Sequence, residues 1–227
     1  MAVFTPIDKM TVESFLHEYD IGKLIDYKGI LEGIDNTNFT IITSKNRYIL
    51  TIFEKRVQEK DLPFFIKLQN HLAKKKFKNP KPIKNKDGQY INKINNKSCV
   101  VMSFLKGKKI TKISVNHCSQ VGKQLAILHK LTSDFSLSRQ NGLHQKYWIS
   151  LFEKFKNNKE NTYQYLFRSI EKELDFLNHH WPKDLPIGVI HADVFQDNVF
   201  FINNVFSGMI DFYFACNDFF AYELAIC

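Results

Sequence analysis

Between residues 191 and 211 the chain carries side chains suited to moving a phosphoryl group. His191, Asp193 and Asn198 follow the spacing H-x-D-x-x-x-x-N, and Asp211-Phe212 comes after them. A migrating phosphoryl group spreads negative charge over its oxygens. The reaction needs a carboxylate beside the attacking hydroxyl, to orient it and receive its proton. It also needs hard oxygen ligands for a Mg²⁺ that bridges the phosphates. On this reading Asp193 is the base, Asn198 supplies an amide oxygen and Asp211 a carboxylate, both for the metal. His191 is expected to brace the loop by hydrogen bonds, and Asp197 to form a turn. Three fixed positions make a short motif, so the flanking elements decide how much it means.

Those elements suit the chemistry. Residues 187–190 read as a short apolar strand leading into His191. Residues 199–202 and 206–210 read as a hairpin that returns Asp211 to the same edge as Asn198. Upstream, Thr11 reads as the N-cap of a helix bearing Val12, Phe15, Leu16 and Tyr19, with Gly22 as its stop. From Tyr27 to Phe53 the pattern changes to short β runs, of which residues 39–42 and 47–53 read as two antiparallel strands. Residues 62–73 read as a helix, and 90–94 with 99–104 as another strand pair. After the leading helix the first 105 residues therefore run β-β-β-α-β-β. Beyond Gly107 the pattern turns helical. Ser114 caps a helix with Val121, Leu125 and Leu128 on one face. Leu166, Ile170, Leu174, Leu177 and Trp181 form a second stripe, expected to be core. A last helix is expected from about Asp218, still running at Cys227, which makes the chain look cut short. The expected architecture is α+β and two-lobed. Residues 1–105 form a small antiparallel β-rich nucleotide-binding lobe, and residues 106–227 a mainly helical catalytic lobe.

Composition narrows the class. The chain has 227 residues, 44% hydrophobic and 24% charged, which excludes wholesale disorder. Nine Gly and six Pro exclude a collagenous or linker-like chain. The net charge of +9 comes mostly from lysine. Such a balance suits nucleic acid, an anionic surface or phosphorylated small molecules. Lys74-Lys75-Lys76 and the cluster at 106–109 lack interleaved stacking aromatics and read as solvated faces or loops. Cys99, Cys118, Cys216 and Cys227 have no metal-ligand or redox spacing, which favours a reducing compartment. The N-terminus lacks a signal-peptide pattern and no apolar run is long enough to span a membrane. The expectation is a cytoplasmic protein with small-molecule partners, and neither nucleic acid nor membrane among them.

Several runs carry a family resemblance. They are Glu18-Tyr19-Asp20-Ile21-Gly22, Lys28-Gly29-Ile30, Glu32-Gly33, residues 36–39, Tyr48-Ile49-Leu50-Thr51, Glu54-Lys55-Arg56-Val57 and Asp61-Leu62-Pro63-Phe64-Phe65. They continue through 191–201 and Asp211-Phe212-Tyr213-Phe214-Ala215-Cys216-Asn217-Asp218. In these the chain closely resembles the homoserine kinases of the aminoglycoside-phosphotransferase and choline-kinase-like group. The resemblance spans essentially the whole chain. It implies a kinase-like fold with ATP and Mg²⁺ in the cleft, and transfer of the γ-phosphoryl group to the hydroxyl of L-homoserine, a step in threonine biosynthesis.

By position, Asp193 becomes the base and Asn198 and Asp211 the magnesium ligands. The stretch from Gly33 through Asn36 to Asn38 matches the phosphate-covering loop, and Ser103-Phe104-Leu105 the linker that meets adenine. Asn217 and Asp218 are the candidates for acceptor contacts. Thr51 stands where kinases have a phosphate-binding lysine, with Lys55 as a substitute on the same strand face by alternation. Asn70 stands where the lysine's glutamate partner is expected. Members of the resembled family continue beyond the final helix seen here. Two other readings stay open: a kinase for choline, an aminoglycoside or another hydroxyl compound, and an inactive kinase-like remnant. The basic balance argues against an aminoglycoside pocket, which would be acidic.

Overall fold

The structure is a computed structural model that describes residues 3–33, 35–157 and 163–227. Helix α1 (Lys9–Leu16) leads in. Asp8, rather than Thr11, is its N-cap: the Asp8 carboxylate accepts from the Thr11 N–H at 2.7 Å. The helix thus starts earlier than expected, and it ends well before Gly22. Gly22 instead makes the left-handed turn into the sheet at φ +89°.

Strands β1 (Leu24–Gly29), β2 (Thr37–Thr43), β3 (Arg47–Ile52), β4 (Pro82–Ile83), β5 (Ile91–Ile94) and β6 (Lys97–Ser103) form one antiparallel sheet. Its order is β1-β2-β3-β6-β4, with β5 also paired to β6. Alternation in β2 is clean, with Phe39 and Ile41 facing inward. They pack on Val12, Phe15 and Leu16 of α1. The other sheet face, through Val100 and Met102, packs on Leu62 and Ile66 of helix α2 (Leu62–Lys74). The far side of α2 carries Phe64, Phe65, Leu68 and Leu72, which bury themselves in a second core. Each such side chain contributes about 1.5–3 kcal/mol on burial. This one helix thereby couples the sheet to everything that follows.

The remainder contains α3 (Val115–Leu131), α4 (Trp148–Lys156), α5 (Phe167–His180), β7 (Ile187–Ile190), β8 (Val199–Ile202), β9 (Val205–Met209), β10 (Cys216–Phe219) and α6 (Phe220–Ile226). Ser114 caps α3 as expected, with His117 completing the box. Strands β8 and β9 form the expected hairpin. Strand β10 was not expected. It pairs antiparallel with β7, Cys216 opposite Ile190, and the polar Asn217-Asp218 hides it from a hydrophobicity reading. Accordingly α6 starts at Phe220. The stripe on α5 faces α4, but none of its residues is buried. Among the described residues it is covered by α4, through Phe152 on Phe167 and Trp148 on Trp181, and by His144 and Gln145 just before α4. Gly107 joins the two regions at φ +130°, where a Cβ would crowd Phe200, Ser207 and the Phe201 carbonyl. Cys99 and Cys216 are buried free thiols. No helix among the described residues is long and apolar enough to cross a membrane.

Candidate active site

Strand β7 delivers the loop 191–198 and strand β9 delivers Asp211, so both arrive at one edge of a large cleft. The cleft has a volume of about 1240 Å³. Asp193, Asn198 and Asp211 all line it. Asn198 Nδ2 donates to Asp193 Oδ2 at 2.8 Å and to the Asp193 carbonyl at 3.0 Å. The amide oxygen of Asn198 is therefore turned away from Asp193. Ala192 and Asp211 both hold left-handed backbone, φ 62° each, a strained conformation for residues with a Cβ. His191 braces the loop as expected: its Nε2 donates to the Ile210 carbonyl at 2.9 Å, and its ring lies against Phe212.

Electrostatics mark the floor of the cleft. Asp211 touches solvent through the cleft mouth while protein surrounds it elsewhere. This confinement raises its pKa to about 6, and the nearby Asp193 and Asp35 add to the rise. Burial likewise pushes Asp193 up, against the lowering influence of His191, Asn198 and Arg56. Two neighbouring carboxylates, beside an amide oxygen turned away from Asp193, are a hard-oxygen donor set. Among the described residues no three His, Cys, Asp or Glu side chains make a closed metal cage. An open set of this kind suits a cation that takes its other ligands from substrate phosphates.

Gly33, Asn36, Asn38, Thr51, Ser103, Phe104 and Leu105 line the same cleft. Lys108 and Lys109, read as solvated loop, are exposed but stand at its mouth. Lys55 lies elsewhere. Strand β3 ends at Ile52, the alternation stops with it, and Lys55 points to solvent. Arg56 lines the cleft instead. It pairs with Asp35 and lies over the Phe214 ring, 3.9 Å from its centre. Thr51 is buried and donates to Asn38 Oδ1 at 2.7 Å. Burial pushes the Tyr213 phenol up, against the lowering influence of the neighbouring Thr51 and Gln69. Thr51, Tyr213 and Gln69 thus stand together in the cleft where β3, α2 and the Asp211 loop meet. Gln69, rather than Asn70, is the α2 residue that reaches the cleft.

Asn217 and Asp218 do not line the cleft. Their polar groups are spent on the segment 139–141. Asn217 Oδ1 accepts from the Arg139 N–H at 3.0 Å, and the Asn217 N–H donates back to the Arg139 carbonyl at 2.7 Å. Asp218 Oδ2 accepts from Asn141 Nδ2 at 2.7 Å. One residue that sequence reasoning missed is Glu223 on α6, fully buried. Its two oxygens accept from the N–H groups of His191 and Ala192, each at 2.9 Å, and it pairs with His129 Nε2 at 3.0 Å. A lone carboxylate in the apolar run Ala221 to Ile226 was the available signal.

The cleft, the loop and the hairpin define a phosphotransferase, and the comparisons agree. The chain belongs to the phosphotransferase enzyme family (APH), whose pattern matches residues 26–227. Its curated relatives include the homoserine kinases of Agrobacterium fabrum and Parvibaculum lavamentivorans. Each is 46% identical over all 227 residues, which cover 70% and 71% of those proteins. Among solved structures, the amicoumacin kinase hAmiN in complex with AMP-PNP, Ca²⁺ and Ami superposes with a TM-score of 0.77 at 15% identity. That match covers 97% of this chain and 68% of the other. Choline kinase from Cryptosporidium parvum Iowa II gives 0.67 at 18% identity, covering 93% and 66%. At these identities the structural matches speak to the fold, which is the expected kinase-like α+β architecture.

Proposed function

We propose that this chain is a homoserine kinase, moving the γ-phosphoryl group of ATP to the side-chain hydroxyl of L-homoserine. The observation that carries the reading is the convergence of Asp193, Asn198 and Asp211 on one cleft floor, in a chain 46% identical to homoserine kinases. In this reading Asp193 orients the acceptor hydroxyl and takes its proton as the new O–P bond forms and the bond from the γ-phosphorus to the bridging oxygen breaks, releasing ADP. Asn198 holds Asp193 in place through its Nδ2. Asn198 Oδ1 and the Asp211 carboxylate would hold Mg²⁺, which when bound neutralises charge on the phosphates. Ser103, Phe104 and Leu105 take the adenine end, and Gly33, Asn36 and Asn38 stand over the phosphates. The decisive assay is incubation with ATP, Mg²⁺ and L-homoserine, followed by ³¹P NMR for O-phosphohomoserine. Phosphorylation of choline or an aminoglycoside in its place would overturn the substrate, and no transfer to any acceptor would favour the inactive-remnant reading.

Arg56 supplies the positive charge that Thr51 lacks. Its stacking on Phe214 and its pairing with Asp35 hold the guanidinium at the cleft. Arg56→Ala is expected to raise KM for ATP about 10–100-fold, the scale of losing a charge-assisted hydrogen bond. Lys55→Ala is expected to stay within about twofold of the parent, as an exposed surface change. Steady-state kinetics at saturating homoserine reads both; the reverse ranking would restore Lys55.

A further inference from the structure

Beside the large cleft lies a second, smaller cavity of about 170 Å³. It shares Asp35, Arg56, Asp211 and Phe214 with the cleft, so the two adjoin at the cleft floor. Its far wall carries a charge pair, Arg139 and Asp61, with Arg139 Nε donating to Asp61 Oδ2 at 2.8 Å and both side chains 21% exposed. The volume is below the roughly 300–1,000 Å³ of drug-sized sites. It suits a compact charged group.

The chemistry of the wall is that of a zwitterion receptor. Arg139 is fixed on three sides. Nε is on Asp61, Nη1 donates to the Ala215 carbonyl at 3.2 Å, and the guanidinium lies 4.8 Å from the centre of the Phe65 ring. Among the described residues no group accepts from Nη2. A pre-set guanidinium with a donor to spare recognises a carboxylate at little entropic cost. Asp61 next to it offers the complementary charge to an ammonium. A quaternary ammonium is poorly served: of the three aromatic rings lining the cavity, Phe65 and Phe214 already carry Arg139 and Arg56, and Tyr213 packs edge-on with Phe53 and Phe65. Asn217 and Asp218 enter here indirectly, since they hold the 139–141 segment that presents Arg139.

We infer that this small cavity seats the charged end of the acceptor, an α-amino acid, with its carboxylate on Arg139 and its ammonium against Asp61. The side-chain hydroxyl then extends toward the shared floor at Asp211 and the cleft beyond. The inference rests on the kinase reading, and it adds the site that selects the acceptor.

Isothermal titration of the full chain, saturated with AMP-PNP and Mg²⁺, tests it with three ligands. These are L-homoserine, 3-aminopropan-1-ol, which lacks the carboxylate, and 4-hydroxybutyrate, which lacks the amine. Each truncated ligand is expected to bind about 10–100-fold more weakly than L-homoserine. Arg139→Met is expected to weaken L-homoserine by a similar factor and to leave 3-aminopropan-1-ol within about twofold. Equal binding of L-homoserine and 3-aminopropan-1-ol to the parent chain overturns the inference, and that comparison needs no variant to fold. Equal weakening of both ligands by Arg139→Met also overturns it, by making Arg139 a purely structural residue. In either case intact phosphorylation of L-homoserine shows that only the pocket assignment has failed. Absence of L-homoserine binding, with AMP-PNP still bound, removes the substrate reading itself.

Discussion

Replacing Asp193 with Asn is expected to lower kcat for homoserine by about 10²–10⁴-fold, the range for loss of a general base. The dissociation constant for Mg²⁺·AMP-PNP should stay within about threefold. The substitution keeps the shape of the side chain and leaves an oxygen for Asn198 Nδ2, which now sits 2.8 Å from Asp193 Oδ2. What it removes is the ability to take a proton. Asp193 lies on the cleft floor near Asp211, and burial raises its pKa, so it is a better proton acceptor than an exposed aspartate. A single-turnover measurement separates the chemical step from product release, and a nucleotide titration checks the binding half. A loss under tenfold in the chemical step would reduce Asp193 to a positioning role. A parallel loss of nucleotide affinity would place it among the metal-holding groups instead.

The site was legible where its information is local. The spacing from His191 to Asn198 spans eight residues, and the β8–β9 hairpin that returns Asp211 announces itself as two short apolar runs around Asn203-Asn204. Those short-range features brought three polar side chains to one place in the structure. Long-range features were not legible. Glu223 meets residues 31 and 32 positions earlier in the chain. Nothing local distinguishes its carboxylate from a solvated helical one except the apolar company it keeps. Lys55 was chosen by extending a period-two rule past Ile52, where the strand had already ended, and Arg56 faces the cleft because the chain turns there. Asn217 and Asp218 read as pocket residues because they are polar and follow Asp211. In the fold their polarity is consumed by a second strand and by the 139–141 segment. For α5, periodicity placed the stripe in the core, whereas none of its residues is buried, because depth of burial depends on what lies opposite and not on spacing.

Glu223 controls the loop that carries Asp193. Ala192 is held at φ 62°, a conformation that costs roughly 1–3 kcal/mol, and the Glu223 carboxylate accepts from the N–H groups on both sides of the Ala192 kink's entry. Glu223→Ala leaves one buried and one half-buried N–H group, and His129, without their partner. The expected loss of stability is about 3–5 kcal/mol in urea unfolding, with kcat falling alongside as the loop relaxes. Burial alone would raise the Glu223 pKa. The His129 hydrogen bond, the His191 ring and the two backbone N–H groups outweigh it and hold the carboxyl below its ordinary 4.5. A lowered carboxylate pKa contributes stability that is fully present above the ordinary value and is lost as pH falls through the folded one. The stability gap between the parent chain and Glu223→Ala should therefore be flat from pH 6 to 8 and narrow below about pH 4.5. Asp193 and Asp211 titrate with the opposite sign, but both proteins carry them, so they largely cancel in the difference. A gap that stays constant down to pH 3 would mean that Glu223 acts by filling space, and that its charge does not hold the loop.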